Sequence, residues 1–332
     1  MANNWTLLHA RLHQTLRQRN LLQPGESLLV AVSGGQDSLC LGKLLLDLQP
    51  KWEWQLAIAH CDHGWKLDCG IAAHVRQLAQ VWGLPFYLKV ASQLPEKEAA
   101  AREWRYQALL EVAQAGGFAS VIVGHTKSDR AETLLYNLLR GAGTDGLSAL
   151  TWKRPLTADI QLIRPLLNVS RQETWEFCQQ LQLPIWEDAA NQNPQYARNR
   201  IRQQLIPYLQ SQFNPQVETA LAQTAELLRA DGEYLEDCAR KLLQEAIAPD
   251  KMGLNRLCLR NVPLSLQRRI LRQFLHDTLP KAPNFQQVEA LRDLIDAPNR
   301  TRTSSLAGRV IAQVEDEWII LHHVSSILDF RF

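Results

Sequence analysis

Apolar residues in the first half of the chain alternate between two textures. Short apolar runs occupy Ser27–Ser33, Gln55–Cys61, Phe86–Val90 and Ser120–Gly124. Between them lie longer stretches with helical spacing, near Ser38–Leu48, Asp68–Trp82, Ala99–Ala115 and Lys127–Leu139. The short runs read as strands and the longer ones as crossover helices. The alternation predicts an α/β fold, a parallel sheet with helices on both faces. Gly83-Leu84-Pro85 and Gly116-Gly117 mark helix ends. A short run at Ile160–Ile163 and a helix opened by a Ser170/Glu173 capping box complete this domain. Trp186–Pro194 reads as loop, and Arg198–Leu209 as a helix distorted at Pro207.

After Asn214-Pro215 the texture changes. Leu221–Leu243 reads as a long polar helix, and Leu264–Leu275 and Phe285–Ile295 as amphipathic ones. Val310–Val314 and Trp318–Leu321 flank an acidic turn and read as a hairpin. Two domains are predicted, 1–215 and a smaller, mostly helical 216–332.

Composition narrows the class. The chain has 332 residues, 46% of them apolar, enough for two real cores and unlike a disordered chain. No apolar run reaches the roughly 18 residues of a membrane span. Trp5, Leu7, Leu8, Leu12 and Leu16 suit a packed helix better than a secretory signal. The stretch before the first acid, Glu26, lacks the Ser expected of an organelle transit peptide. The six cysteines form no Cys-x-x-Cys pair, so buried free thiols in a reducing cytoplasm are expected. Net charge is +2, but Lys251–Arg309 carries +7 and Gln216–Asp250 carries −5. The basic block suits a polyanion and equally a solvated helix face.

The strongest chemical signal follows the first strand. Ser33-Gly34-Gly35-Gln36-Asp37-Ser38 stands between an apolar run and a helix. Adjacent glycines allow a tight turn whose N–H groups approach a phosphate, and the helix that follows adds free N–H groups and its positive dipole end. Ser33 and Ser38 supply hydroxyls. A carboxylate among phosphates makes sense with a cation between them, so Asp37 is the candidate Mg²⁺ contact. A Walker loop is absent. The loop is similar to the pyrophosphatase-type loop of enzymes that split ATP between its α- and β-phosphates. The plain alternative is an ordinary strand-to-helix turn.

Other motifs sit at strand ends. His60-Cys61-Asp62-His63-Gly64-Trp65 follows the second strand and reads as a polar loop bordering the nucleotide, with metal ligation the weaker alternative. Asp129 and Glu132, three apart after the fourth strand, share a helix face, either as a functional pair or as ordinary first-turn acids. Arg102 and Arg105 stand at a helix start, where the dipole disfavours cations, so an anionic partner is expected. Arg198 and Arg202 share a face near Tyr196, which suits RNA phosphates and an unstacked base, or a solvated surface.

Together these motifs resemble the tRNA(Ile)-lysidine synthetase family. The matching pieces are Ser33–Ser38, His60–Gly64, Ala101–Tyr106, Gly124–Thr133, Arg140-Gly141-Ala142-Gly143 with Gly146-Leu147, Arg164-Pro165-Leu166-Leu167, and Trp186–Pro207. Beyond Asn214 the likeness rests on size and helical pattern, which fit the family's first C-terminal domain and leave no room for a second. The resemblance implies ATP-dependent ligation of free L-lysine to C2 of the wobble cytidine of isoleucine tRNA with a CAU anticodon. The base would be adenylated, pyrophosphate and then AMP would leave, and the enzyme would act in the cytoplasm, with room for a homodimer. It further implies that Ser33, Gly34, Gly35, Gln36, Asp37, Ser38 and His60 contact ATP, with Mg²⁺ on Asp37. Asp129 and Glu132 would recognise lysine, and Arg105 would stabilise charge on the adenylated base.

Three departures stand out. Ser128 replaces one of two paired acids, Thr126 stands where His is common, and Ala189-Ala190 replace Pro-Ser after Asp188. One rival is a tRNA thiolase, which the lack of Cys-x-x-Cys disfavours, and amide-forming relatives would need an ammonia-supplying domain. Another is a non-catalytic tRNA-binding protein, which the intact loop disfavours.

Overall fold

The computed structural model describes residues 5–65, 69–92, 94–95, 98–186, 196–250 and 252–323. Two compact units divide inside one long helix, Met1–Arg229 and Ala230–Phe332. Each is described separately.

In the first unit, helix α1 (Leu7–Gln18) precedes the sheet. The alternating textures then become β1 (Ser27–Ala31), α2 (Gln36–Trp52), β2 (Gln55–Asp62), α3 (Ile71–Val81), β3 (Phe86–Val90), α4 (Glu98–Gly116), β4 (Ser120–Val123) and α5 (Lys127–Leu139). A short helix α6 (Thr144–Leu147), β5 (Lys153–Pro155), β6 (Gln161–Ile163) and α7 (Arg171–Gln180) follow. The sheet order is β3-β2-β1-β4-β6-β5, parallel except for β5. Alternate strand residues serve opposite faces. Leu28, Val30 and Ile58 pack with α1, α2 and α3, whereas Leu29, Ala57 and Val121 pack with Leu109 and Val112 of α4.

The chain turns back on itself between β1 and β4, so the sheet's switch point lies there, where α/β proteins bind ligands. The unit continues through α8 (Ala197–Arg200), a π-helical turn (Ile201–Leu205) and α9 (Ile206–Gln212). Pro207 has no N–H to donate, and the widened turn immediately before it absorbs that loss. Helix α10 (Val217–Ala246) carries the division between the units.

The second unit adds β7 (Gly253–Asn255), α11 (Arg256–Arg260), α12 (Leu264–Thr278), α13 (Phe285–Asp293), β8 (Val310–Glu315) and β9 (Trp318–His323). The expected hairpin is present, with β7 added to make the antiparallel order β7-β9-β8. Charges segregated in sequence meet in space. Arg269 and Arg272 of α12 both pair with Glu236 of α10, and Arg268 with Glu289. Much of the basic block is thus internally neutralised, whereas Arg300 and Arg302 remain exposed, with no ion pair among the described residues.

The thiols differ from the expected uniform burial: Cys40 and Cys178 are buried, but Cys69 and Cys258 are exposed. No described helix is long and apolar enough to cross a membrane.

Candidate active site

The phosphate loop forms as the sequence dictates. Gly34 takes φ +90°, a left-handed conformation that favours glycine, and Gly35 caps α2 without a side chain. Ser38 Oγ accepts from the Ser33 N–H at 3.1 Å and donates to the Gly35 carbonyl at 2.8 Å, closing the loop on itself. Trp186 braces it from outside: its N–H donates to the Gly34 carbonyl, and a Cβ on Gly34 would lie 3.3 Å from the Trp186 Cβ. Gly124, at the end of β4, packs against the loop so closely that a Cβ there would lie 2.9 Å from the Asp37 carbonyl oxygen.

Two of the candidate contacts have side chains engaged within the protein. The Gln36 side chain donates to the Arg171 carbonyl at 2.7 Å and to Thr174. His60 is buried, and its Nδ1 donates to the Val32 carbonyl at 2.8 Å, so it holds the strand end from which the loop springs.

Asp37, Asp129 and Glu132 converge on one guanidinium. Arg171 reaches Asp37 Oδ2 through Nε at 3.1 Å, Asp129 Oδ1 through Nη2 at 3.1 Å and Glu132 Oε1 through Nη1 at 3.5 Å. A second guanidinium, Arg202, grips Glu132 with two bonds of 2.7 Å. Asp129 is the first-turn acid weighed from sequence, and it also pairs with arginines. Its Oδ2 closes the Thr126 capping box of α5, while Oδ1 faces the two arginines. Ser128, where one acid of the pair is missing, accepts from the Arg171 N–H and donates to Glu218.

Environment separates the carboxylates. Burial raises the Asp37 carboxyl above its ordinary value against the pull of Arg171, and burial likewise raises Glu132 against Arg202. Burial opposes charge on Asp129 too, but Arg171, the Thr126 N–H and Arg202 outweigh it and hold its carboxyl low. A hard cation suits Asp37, in the first turn of α2: a positive charge already stands on Oδ2, and the Thr174 hydroxyl donates to Oδ1. Mg²⁺ needs only one or two carboxylates together with phosphates and water. The absence of a three-ligand His/Cys/Asp/Glu group among the described residues is therefore no obstacle.

Arg105 lies apart from the carboxylates, exposed and 3.3 Å from His63, whose ring stacks on Trp65. The charges of Arg164, Arg102 and Arg105 act on His125. Burial first, then these cations, lower His125 to about 3 against the opposing pull of Asp129, so the imidazole is neutral, and its buried Nδ1 has no partner among the described residues.

Sequence reasoning missed Arg171 and misplaced Arg202. Arg202 was expected on an RNA face beside Arg198, but the helical segment turns it inward onto Glu132, while Arg198 lies over the Tyr136 ring. Arg171 carried a legible signal, a cation at the first position of a helix, where the dipole disfavours it. The segment Glu187–Pro194, with Asp188 and Ala189-Ala190, lies outside the described residues.

Comparisons with known proteins fit this geometry. A PP-loop domain matches residues 6–209, and a TilS substrate binding domain matches residues 254–314. A tRNA(Ile)-lysidine synthase of Nostoc sp. is 57% identical over 96% of this chain and 98% of its own length. The chain belongs to the tRNA(Ile)-lysidine synthase family. Another tRNA(Ile)-lysidine synthase, from Synechocystis sp., is 54% identical over 95% of this chain and 97% of its own. The PP-loop domain assigns ATP binding to the first unit. Among solved structures, the U34-tRNA thiolase NcsA from Methanococcus maripaludis shares the fold, with a TM-score of 0.56 at 18% identity over 67% of this chain and 77% of its own. Sulfur chemistry does not follow from that likeness. Burial pushes the Cys178 thiol up to about 12 and Cys40 higher still, the opposite of an activated thiolate.

Proposed function

We propose that this chain joins free L-lysine to C2 of the wobble cytidine of an isoleucine tRNA with a CAU anticodon, forming lysidine, AMP and pyrophosphate. The observation that carries the reading is the meeting of the Ser33–Ser38 loop with the Asp129–Glu132 pair at one switch point of the sheet, in a chain of this family. In the first step the C2 oxygen attacks the α-phosphorus of ATP. The N–H groups of Gly34, Gly35 and Gln36 with the Ser33 and Ser38 hydroxyls hold the departing pyrophosphate. When bound, Mg²⁺ neutralises charge on that leaving group, and Asp37 is the residue that would hold it.

In the second step the lysine side-chain amine attacks C2 and expels AMP. It arrives as an ammonium of pKa about 10.4 and must first lose a proton. Asp129, held low, stays charged and binds the ammonium, and Glu132, held high, takes the proton. Arg105, exposed on α4 beside the strand-end residue His63, stabilises the adenylated base. Residues 1–215 form the catalytic part, and 216–332 dock the tRNA. The same reading places the enzyme in the cytoplasm and allows a homodimer.

The test is AMP and pyrophosphate release from ATP. Release should require both lysine and tRNA, and Asp37→Asn should remove nearly all of it. Release that ignores lysine, or near-wild-type turnover of Asp37→Asn at saturating Mg²⁺, would contradict the reading.

A further inference from the structure

The proposed lysine site has a problem that its own geometry exposes. An ammonium needs carboxylate oxygens to accept its protons, and here every oxygen of the pair already accepts. Asp129 Oδ2 takes the Thr126 N–H and hydroxyl at 2.7 and 2.8 Å, and Oδ1 takes Arg171 and Arg202. Glu132 Oε1 takes Arg202 Nε at 2.7 Å and Arg171 at 3.5 Å, and Oε2 takes Arg202 Nη2 at 2.7 Å. With Asp37, three carboxylates face two guanidiniums. Charge alone leaves room for one more cation, but an ammonium must compete with guanidiniums for the oxygens it would use.

The two differ in how they are held. Arg202 is bidentate on the Glu132 carboxylate, the strong fork geometry. Arg171 spreads single, longer bonds of 3.1, 3.1 and 3.5 Å over three different carboxylates. Its side chain is 27% exposed, and it lines a cavity of about 770 Å³ together with Lys127, Gln172, Trp175 and Gln210. It therefore has somewhere to go. It also stands at the first position of α7, where the helix dipole disfavours a cation, so its present place rests on the carboxylates alone.

We propose that Arg171 is a place-holding cation: it neutralises Asp37, Asp129 and Glu132 before substrate arrives, and swings into the adjoining cavity when the lysine ammonium takes its place on Asp129 and Glu132. The device keeps three carboxylates together without a substrate and makes lysine compete for them. It also disfavours capture of stray cations, since any newcomer must displace a pre-formed partner. The proposal rests on the lysine-ligase reading above.

Competition of this kind lowers apparent affinity by the fraction of molecules whose site is open. If Arg171 is in place about nine-tenths of the time, removing it strengthens lysine binding about tenfold. The experiment is calorimetric binding of L-lysine to the full chain, with a non-hydrolysable ATP analogue present, for wild type, Arg171→Gln and Arg171→Lys. Melting temperatures confirm folding. Arg171→Gln should bind lysine about tenfold more tightly. Arg171→Lys keeps the charge and secures folding, but its ammonium cannot bridge three carboxylates, so it should bind two- to threefold more tightly. Unchanged or weaker binding by folded variants overturns the proposal, because a structural or lysine-contacting Arg171 predicts that sign. No lysine binding by wild type contradicts the ligase reading itself and takes this inference with it.

Discussion

Gly124→Ala puts the packing beneath the phosphate loop to a direct test. Gly124 has no left-handed φ, so its backbone accepts alanine, and only the contact decides the outcome. The new Cβ would lie 2.9 Å from the Asp37 carbonyl oxygen, 3.0 Å from its carbonyl carbon and 3.1 Å from the Ser38 Cα. Ordinary contact begins at 3.4 Å, and these atoms are backbone rather than flexible side-chain tips. The start of α2 must therefore give by about half an ångström, and since a misplacement of about 1 Å costs about a hundredfold in rate, half of it costs about tenfold. We expect kcat/KM for ATP to fall about tenfold, with the lysine KM little changed. Overpacking should cost about 1–3 kcal/mol of stability. The assay is steady-state AMP release with tRNA and lysine saturating, beside a melting curve. Gly143→Ala is the control, because nothing lies within 4 Å of its Cβ position. Wild-type ATP kinetics and melting for Gly124→Ala would refute the claim that β4 sets the loop's position.

Glu132→Gln and Asp129→Asn should impair use of lysine more than binding of ATP. Unchanged lysine dependence in both would remove them from the site, and a raised lysine KM with little change in kcat would assign binding alone. In the second unit, the double change Arg300→Ala with Arg302→Ala should weaken tRNA binding and reduce its salt slope by about two, whereas Arg272→Ala, already paired with Glu236, should leave the slope unchanged. Glu226 is partly buried, which raises its carboxyl, but Arg229, Arg130, Arg19 and Trp152 outweigh this and lower it to about 2. Its contribution to stability is therefore complete above the ordinary carboxylate pKa and is lost as pH falls through about 2. Glu226→Gln strands the buried Arg130 and should cost about 3 kcal/mol at neutral pH by chemical denaturation, with a shallower acid dependence.

What the sequence disclosed was local. The Ser33–Ser38 loop was legible because adjacent glycines between an apolar run and a helix have few other uses. The α7 start was legible because Ser170 and Glu173 satisfy a capping box within one turn. What escaped depends on distant partners. β5 is three residues long and exists as an antiparallel edge on β6, so no periodicity announces it. The direction of Arg202 depends on the π-helical turn that carries it, and the clasp of Arg171 on residues from α2 and α5 follows from tertiary folding alone. The charge blocks misled for a related reason. Glu236 lies far in sequence from Arg269 and Arg272, so a segregated pattern along the chain became a mixed one in space.

The central claim is that lysine becomes covalently attached to a tRNA cytidine at the expense of ATP. The measurement that meets it head-on is mass analysis of nucleosides from isoleucine tRNA with a CAU anticodon, after incubation with the protein, ATP and isotopically labelled lysine. The account predicts a cytidine derivative carrying the whole labelled lysine, formed in proportion to AMP and absent when ATP or lysine is omitted. A digest with no lysine-labelled nucleoside, from protein that folds and binds ATP, would contradict it.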